Sequence, residues 1–526
     1  MATAPQGYLA LILHAHLPFV RHPEYEQFLE ENWLFEAITE TYLPLLDVLD
    51  GLARDRVEYR LTLSLSPTLC AMLQDALLQE RYLRHLTKLI ELAGHEIDRT
   101  KWEGPFHQLA QFYHDRLRRF RDIYAGNRDL VGRFRYFQGT GQLEIITCAA
   151  THGFLPLLRV NPEAVRAQIL VARDHYRQCF GADPRGIWLP ECAYEPGLEE
   201  FLQEAGIRWF TLDTHGLLFA EPRPRYGVFA PVFTPTGVAA FGRDMESSRQ
   251  VWSSVDGYPG DPDYRDFYRD IGFDAELNYI KPYIHPDGIR CFTGLKYHRI
   301  TGPTRDKQPY IRDRAIAKAA DHAGHFLFSR QRQVEHVRAV LQREPVIVAP
   351  YDAELFGHWW FEGPEFLDAL IRKAAAQNIL RLVTPTEYLR QFPTQQVAQP
   401  AASSWGDQGH WDVWLNDKNA WIYPHLHAAA DRMTELVRQH NRPDVLTQRA
   451  LRQAGRELLL AQASDWAFIM KTGTTVPYAV KRTKDHLLRF HRLYEQIKSG
   501  KIDEPWLASL EWRDNLFPDL NPQYFA

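Results

Sequence analysis

The sequence predicts an α/β protein built on parallel strands, either a barrel or a doubly wound sheet. Three observations lead there. Short apolar runs of strand character recur: YLALIL (8–13), YRLTLSL (59–65), FRYFQ (134–138), GIWL (186–189), RWFTL (208–212), VIVAP (346–350) and LRLVT (380–384). Helical patterns lie between several of them, and strands that alternate with helices form parallel βαβ units. No GxGxxG follows a first strand and no GxxxxGK sequence occurs, so the nucleotide-binding versions have little support.

The connecting elements follow the same logic. In NPEAVRAQILVARDHYRQCFG, Val165, Ile169 and Tyr176 sit near helical spacing and Gly181 offers a stop. Residues 241–285 break the alternation with a polar, aromatic stretch around the turn-rich GYPGDP. Insertions of that length are usually functional or disordered, and the density of rings argues against disorder. QFPTQQVAQPAASS (391–404) has the composition of a linker. Beyond it the pattern turns helical. Leu446, Ala450, Ala454 and Leu458 keep a spacing of four, and Leu487, Phe490, Tyr494 and Ile497 alternate threes and fours before Gly500. The expected division is 1–395 for the strand-and-helix body with its insertions, 396–404 for the linker and 405–526 for a helical C-terminal unit.

At 526 residues the chain is long enough for more than one domain and a large core. Its 45% hydrophobic and 24% charged residues are those of an ordinary globular protein, and a net charge of −5 gives no footprint for nucleic acid or an anionic membrane. Aromatic residues reach 13%, with 14 Trp and 24 Tyr; flat rings serve sugar-binding surfaces, and they also fill large cores. Five scattered cysteines without a CxxC pair fit neither a disulfide framework nor a zinc ribbon. The apolar run at 8–13 is cut short by His14 and lacks a basic leader, and no window approaches the ~20 apolar residues of a membrane span. A soluble cytoplasmic protein is expected.

In a parallel barrel the residues at strand exits line the site. YLALIL exits into His14-Ala-His16, GIWL into Pro190-Glu191-Cys192, and VIVAP into Tyr351-Asp352-Ala-Glu354, followed by His358, Trp359 and Trp360. Glu191 and Asp352 are about 160 residues apart and come from different strands. Two carboxyls flanking one bond are the machinery of glycoside cleavage; at roughly 5–5.5 Å one attacks the anomeric carbon while the other protonates the leaving oxygen. Each could equally be a strand-end cap or an ion-pair partner. His14 and His16 have three readings: zinc ligands of a metal-dependent sugar hydrolase or deacetylase, donors to sugar hydroxyls, or support for an ionised Glu191. His152 could join any of them, or be structural. Cys192 lacks a positioned histidine and GxSxG is absent, which leaves nucleophilic cysteine and serine readings without support.

These segments resemble the ordered motifs of glycoside hydrolase family 57. HAHLPF, GQLE (141–144), WLPECAYEPG, APYDAELFGHWW and DVWLND (412–417) follow in the family's order over nearly the whole chain. Within the family, GYPGDPDYRDFYRDIGFD, GLKYHRITG (294–302) and ASDWAFIM (463–470) look most like its 1,4-α-glucan branching enzymes. The resemblance implies a distorted (β/α)7 barrel with a small helical insertion and a helical C-terminal domain that contributes to the substrate groove. It implies a retaining mechanism with no metal or organic cofactor, with Glu191 as nucleophile and Asp352 as general acid/base. His14, His16 and His152 would line the donor sugar site, and Arg265, Trp405, Trp414 and Asp465 would contact glucan. An aromatic on a mobile loop shields the intermediate in family members, and Tyr258 is the candidate here. The expected partner is an α-glucan, with no nucleic acid and no membrane; the sequence leaves the oligomeric state open, with a monomer the favoured form. An α-amylase or 4-α-glucanotransferase would carry the same carboxyls.

Overall fold

A computed structural model describes residues 5–253 and 256–526. Strand β1 (Gly7–Ala15) is buried along its whole length, the signature of a strand covered on both faces. It pairs in parallel with β2 (Leu61–Leu65) on one side and β8 (Val346–Asp352) on the other. The parallel run continues from β2 through β3 (Leu143–Cys148), β4 (Gly186–Trp188) and β5 (Trp209–Leu212) to β7 (Ala239–Gly242). Seven parallel strands thus run in the order β8-β1-β2-β3-β4-β5-β7. No ladder joins β7 to β8 among the described residues. Just beyond β7, however, the Asp244 N–H donates to the Val348 carbonyl at 2.9 Å and draws the ends together. This is the distorted seven-stranded barrel that the resemblance implied. Outside it, β6 (Val232–Phe233) lies antiparallel on β7, β10 (Gln396–Val397) parallel on β6, and β9 (Leu380–Leu382) beside the start of β1.

One expected strand is a helix. FRYFQ lies inside Leu130–Gly139, whose first turn is capped by the Asp129 carboxylate accepting from the Gly132 N–H. Its buried side chains are Leu130, Val131, Phe134 and Phe137, spaced by threes and fours. That helical stripe outweighs the β-propensity of the rings. The strand follows it, as LEIITC. The helix expected before Gly181 spans Pro162–Phe180, and Gly181 and Gly500 end their helices in the left-handed conformation, at φ 69° and 65°.

Two long helices, Ala76–Arg99 and Gly104–Gly126, are inserted between β2 and β3. Residues 241–285 form short helices, including Met245–Trp252 and Ile271–Asp274; residues 254 and 255 of this stretch lie outside the described ones. The C-terminal region is helical, with Ile422–Gln439, Val445–Ala461 and Val476–Ser499 as its long members. Segment 396–404 is laced to the barrel rather than loose. Beyond β10, Gln399 bridges Glu221 and Ser403 bridges Tyr194, with Ser403 and Ser404 buried. No helix among the described residues is long and apolar enough to cross a membrane.

Candidate active site

The strand exits named above meet in one cavity of about 660 Å³, within the roughly 300–1,000 Å³ typical of small-molecule sites. Register explains the meeting. His14 stands opposite Ser64 on β2 and Asp352 on β8, at the carboxyl end of the barrel. Glu191 follows β4 directly, and Trp188 at the end of that strand stacks face to face on the His14 ring at 4.5 Å.

Glu191 reaches the cavity through strained backbone. Glu191, Cys192 and His152 all adopt positive φ, at 60°, 49° and 59°. Left-handed backbone in non-glycine residues costs on the order of 1 kcal/mol each and persists only where the surroundings enforce it. Here they do. The Glu191 carbonyl accepts the Trp405 N–H at 3.0 Å. Its carboxyl accepts the indole Nε1–H of Trp405 at 2.9 Å and the Ser464 hydroxyl at 3.1 Å. Cys192 is fully buried among apolar side chains, and burial pushes its thiol well up; it is a packing residue. Trp405→Phe keeps the ring and deletes the donor. A hydrogen bond to a charged group is worth about 1.5–3 kcal/mol, so turnover is expected to fall about 10- to 100-fold, measured as kcat at saturating substrate.

The two carboxyls bind protons unequally. Burial raises Glu191 to about 7, although the Trp405 and Ser464 hydrogen bonds favour its anion. Burial raises Asp352 well above the usual carboxyl range, and the nearby Glu354 and Glu191 charges push the same way against Arg243. Asp352 accepts no side-chain hydrogen bond among the described residues. The donors on Glu191 favour its anion, whereas the charges around Asp352 favour its protonated form, an asymmetry of the kind that separates an acid from a base.

The histidines form a buried relay. His14 Nε2 meets His152 Nε2 at 3.1 Å, His152 Nδ1 meets the Ser464 hydroxyl at 2.8 Å, and His14 Nδ1 meets Ser64 at 3.0 Å. Burial holds His14 and His152 well below the usual imidazole range, and they stay neutral. His16 bridges Ser66 at 2.8 Å and Asp465 at 3.1 Å. The ligating atoms of His16, His152 and Asp465 lie within 4.8 Å of one another, close enough for a metal ion. Both nitrogens of His16 and of His152 are nevertheless engaged by protein partners.

Trp405, Trp414 and Asp465 all line the cavity. Trp414 also packs on Phe154 at 4.8 Å, and its buried indole N–H has no partner among the described residues. Two expected contacts are elsewhere. Arg265 is buried behind the wall, with Nη2 on Glu40 Oε1 at 2.9 Å and its guanidinium over the Phe361 ring; its alternation of charged and apolar contacts holds the wall rather than a ligand. Tyr258 is also buried, its hydroxyl 2.8 Å from His325 Nδ1 and its ring stacked on His322. That packing places it outside the cavity lining. Ser464 and Arg243 belong to the site and escaped sequence reasoning, and Glu354, named at its strand exit, was given no role there. Only their places gave a signal: beside Asp465, just past β7, and two residues after Asp352.

The chain is similar to known proteins along most of its length. The family model for glycosyl hydrolase family 57 matches residues 10–332, and that for the 1,4-alpha-glucan branching enzyme C-terminal region matches residues 425–525. The chain is 34% identical over 554 residues to the 1,4-alpha-glucan branching enzyme of Thermococcus kodakarensis, covering 97% of this chain and 77% of that one. Two solved structures superimpose over nearly the whole chain. The alpha-amylase AmyC of Thermotoga maritima does so with a TM-score of 0.93 at 48% identity, covering 99% of each. The branching enzyme of Pyrococcus horikoshii does so with a TM-score of 0.89 at 34% identity, covering 99% of this chain and 97% of that one. With the first model spanning more than half of its length, the chain belongs to glycosyl hydrolase family 57.

Proposed function

We propose that this chain is a 1,4-α-glucan branching enzyme in which Glu191 is the nucleophile and Asp352 the general acid/base. Glu191 attacks C1 at an internal α-1,4 bond while Asp352 gives its proton to the departing O4, leaving a glycosyl ester on Glu191. Asp352, now ionised, takes the proton of an incoming sugar 6-hydroxyl, whose oxygen displaces Glu191 from C1 and forms the α-1,6 bond. The observation that carries the roles is the unequal setting of the two carboxyls: two donors favour the Glu191 anion, while Asp352 has none and faces Glu354.

His14, His16, His152 and Asp465 would hold the donor sugar, and Trp405 and Trp414 would cover it. Such a cover matters because the ester must meet a hydroxyl before it meets water. The C-terminal match and the branching enzymes of T. kodakarensis and P. horikoshii favour transfer. The five cysteines are all unpaired, which suits a cytoplasmic setting.

A second reading, α-amylase, is favoured by the 48% identity to AmyC; there water replaces the 6-hydroxyl at the same carboxyls. Incubation with amylose separates the two. Branching is expected to give a growing α-1,6 anomeric signal in proton NMR with few new reducing ends. Reducing ends that accumulate without that signal assign the chain to hydrolysis.

A further inference from the structure

One end of the cavity is furnished with groups that the reaction above does not use. Glu36, on the helix Asn32–Ala37, lines it, as do His358 and Trp359 on the loop leaving β8. The Glu36 side chain is 17% exposed and accepts no hydrogen bond among the described residues; His358 Nδ1 lies 4.0 Å from its carboxyl. That nitrogen is already committed to Glu40 Oε2 at 2.7 Å, which leaves His358 Nε2 without a protein partner among the described residues. Trp359 is 54% exposed; its ring stacks on Phe267 at 4.6 Å and meets the His358 ring edge to face at 5.1 Å, which leaves much of the indole open. A carboxyl, an imidazole nitrogen and an open indole surface converging on one space are the equipment for a pyranose ring and its hydroxyls.

The surroundings make this end rigid. Glu40 is buried, yet the Arg265 guanidinium and His358 hold its carboxyl down to about 2, so it stays charged and fixes the imidazole. Gly357 passes so close to the Glu40 backbone that a Cβ would fall 1.8 Å from its carbonyl oxygen, at a φ of 113° open to glycine. The Trp359 N–H donates to the Glu354 carbonyl at 3.1 Å, tying the platform to the segment that carries Asp352. Burial raises Glu36 to about 7, against the nearby His358, so near neutrality its carboxyl can accept or donate to a hydroxyl.

Position gives the role. Glu191 and the histidine relay occupy the exits of β1, β3 and β4, whereas Glu36, His358 and Trp359 gather beside the exit of β8 with Asp352. A general acid stands on the leaving-group side of the scissile bond, and the acceptor enters where the leaving group departs. We propose that Glu36, His358 and the open indole surface of Trp359 form the acceptor subsite, binding the glucosyl unit whose hydroxyl takes the fragment from Glu191. This rests on the transfer chemistry proposed above but not on the linkage formed.

The test is a partition experiment. Wild type, Glu36→Gln and Trp359→Ala are given α-maltosyl fluoride as donor and increasing maltohexaose as acceptor, and transfer product is measured against free maltose. In both variants the transfer-to-water ratio is expected to fall at least about fivefold and the acceptor KM to rise about tenfold, as loss of a charge-assisted contact requires. Ratios within twofold of wild type overturn the subsite. Glu36→Gln is isosteric and keeps the test decisive if Trp359→Ala folds poorly. Wild type that transfers but builds only α-1,4 bonds refutes branching and leaves the subsite standing. Wild type that transfers at no acceptor concentration overturns both.

Discussion

Glu191→Gln is expected to lower turnover of amylose by on the order of 10⁴-fold or more, as removal of a covalent nucleophile does in other enzymes, while making the protein more stable at alkaline pH. The second effect comes from burial. A carboxyl raised to about 7 in the folded protein, against about 4.5 when unfolded, contributes stability that is fully present below the unfolded value. That contribution is lost as pH rises through 7. At pH 8 the buried anion therefore weighs on the folded state by on the order of 3 kcal/mol, and a neutral amide removes that weight. Thermal melts should show the variant above wild type at pH 8 and level with it near pH 4. Azide admitted by Glu191→Ala should convert an α-glycosyl fluoride to the β-azide, because the anion takes the nucleophile's place in a single inversion. A variant that keeps turnover, or melts lower than wild type at pH 8, contradicts the assignment.

Asp352→Ala is expected to lose about 10²–10⁴-fold on amylose, the usual worth of a positioned acid, but to retain attack on an α-glycosyl fluoride, whose leaving group needs little protonation. The glycosyl ester should then accumulate on Glu191 and appear as a mass increase on the peptide containing it. Azide, which needs no general base, should release that ester as the α-azide, the opposite anomer to that from Glu191→Ala. The pH profile supplies a further check. Wild-type activity should climb as pH approaches 7 and Glu191 ionises, then decline at higher pH as Asp352 loses its proton. With the fluoride donor, ester formation in the variant should keep the acidic limb and lose the alkaline one.

Sequence reasoning reached the parts of this site that depend on strand exits. His14, Glu191 and Asp352 each follow an apolar run directly, so a local pattern and the rule for parallel barrels were enough. It failed where the contact is made at long range. Ser464 bonds to Glu191 across 273 residues, and no period or spacing announces such a pair. Arg265 failed for a related reason: a position matched to a motif fixes a residue type but not which side of the wall it faces. Tyr258 sits in an aromatic loop, as a shielding ring should, yet His322 and His325 on the helix Arg312–Leu341 engage it. In the fold, FRYFQ was misread because a short run of rings fits strand and helix patterns alike, and only burial on one stripe separates them.

The lacing of residues 396–404 to the barrel makes the enzyme indivisible. The backbone and indole of Trp405 secure Glu191 right after the laced stretch, and Ser464 and Asp465 arrive from the helices beyond it. The barrel carries Glu191 and Asp352 but not the donors that favour the Glu191 anion. A chain ending before the lacing would lack all three donors described on Glu191, and a foreign C-terminal region could not be exchanged for the native one without replacing them. Inheritance of this activity should therefore follow the chain as a whole, not the barrel as a portable module.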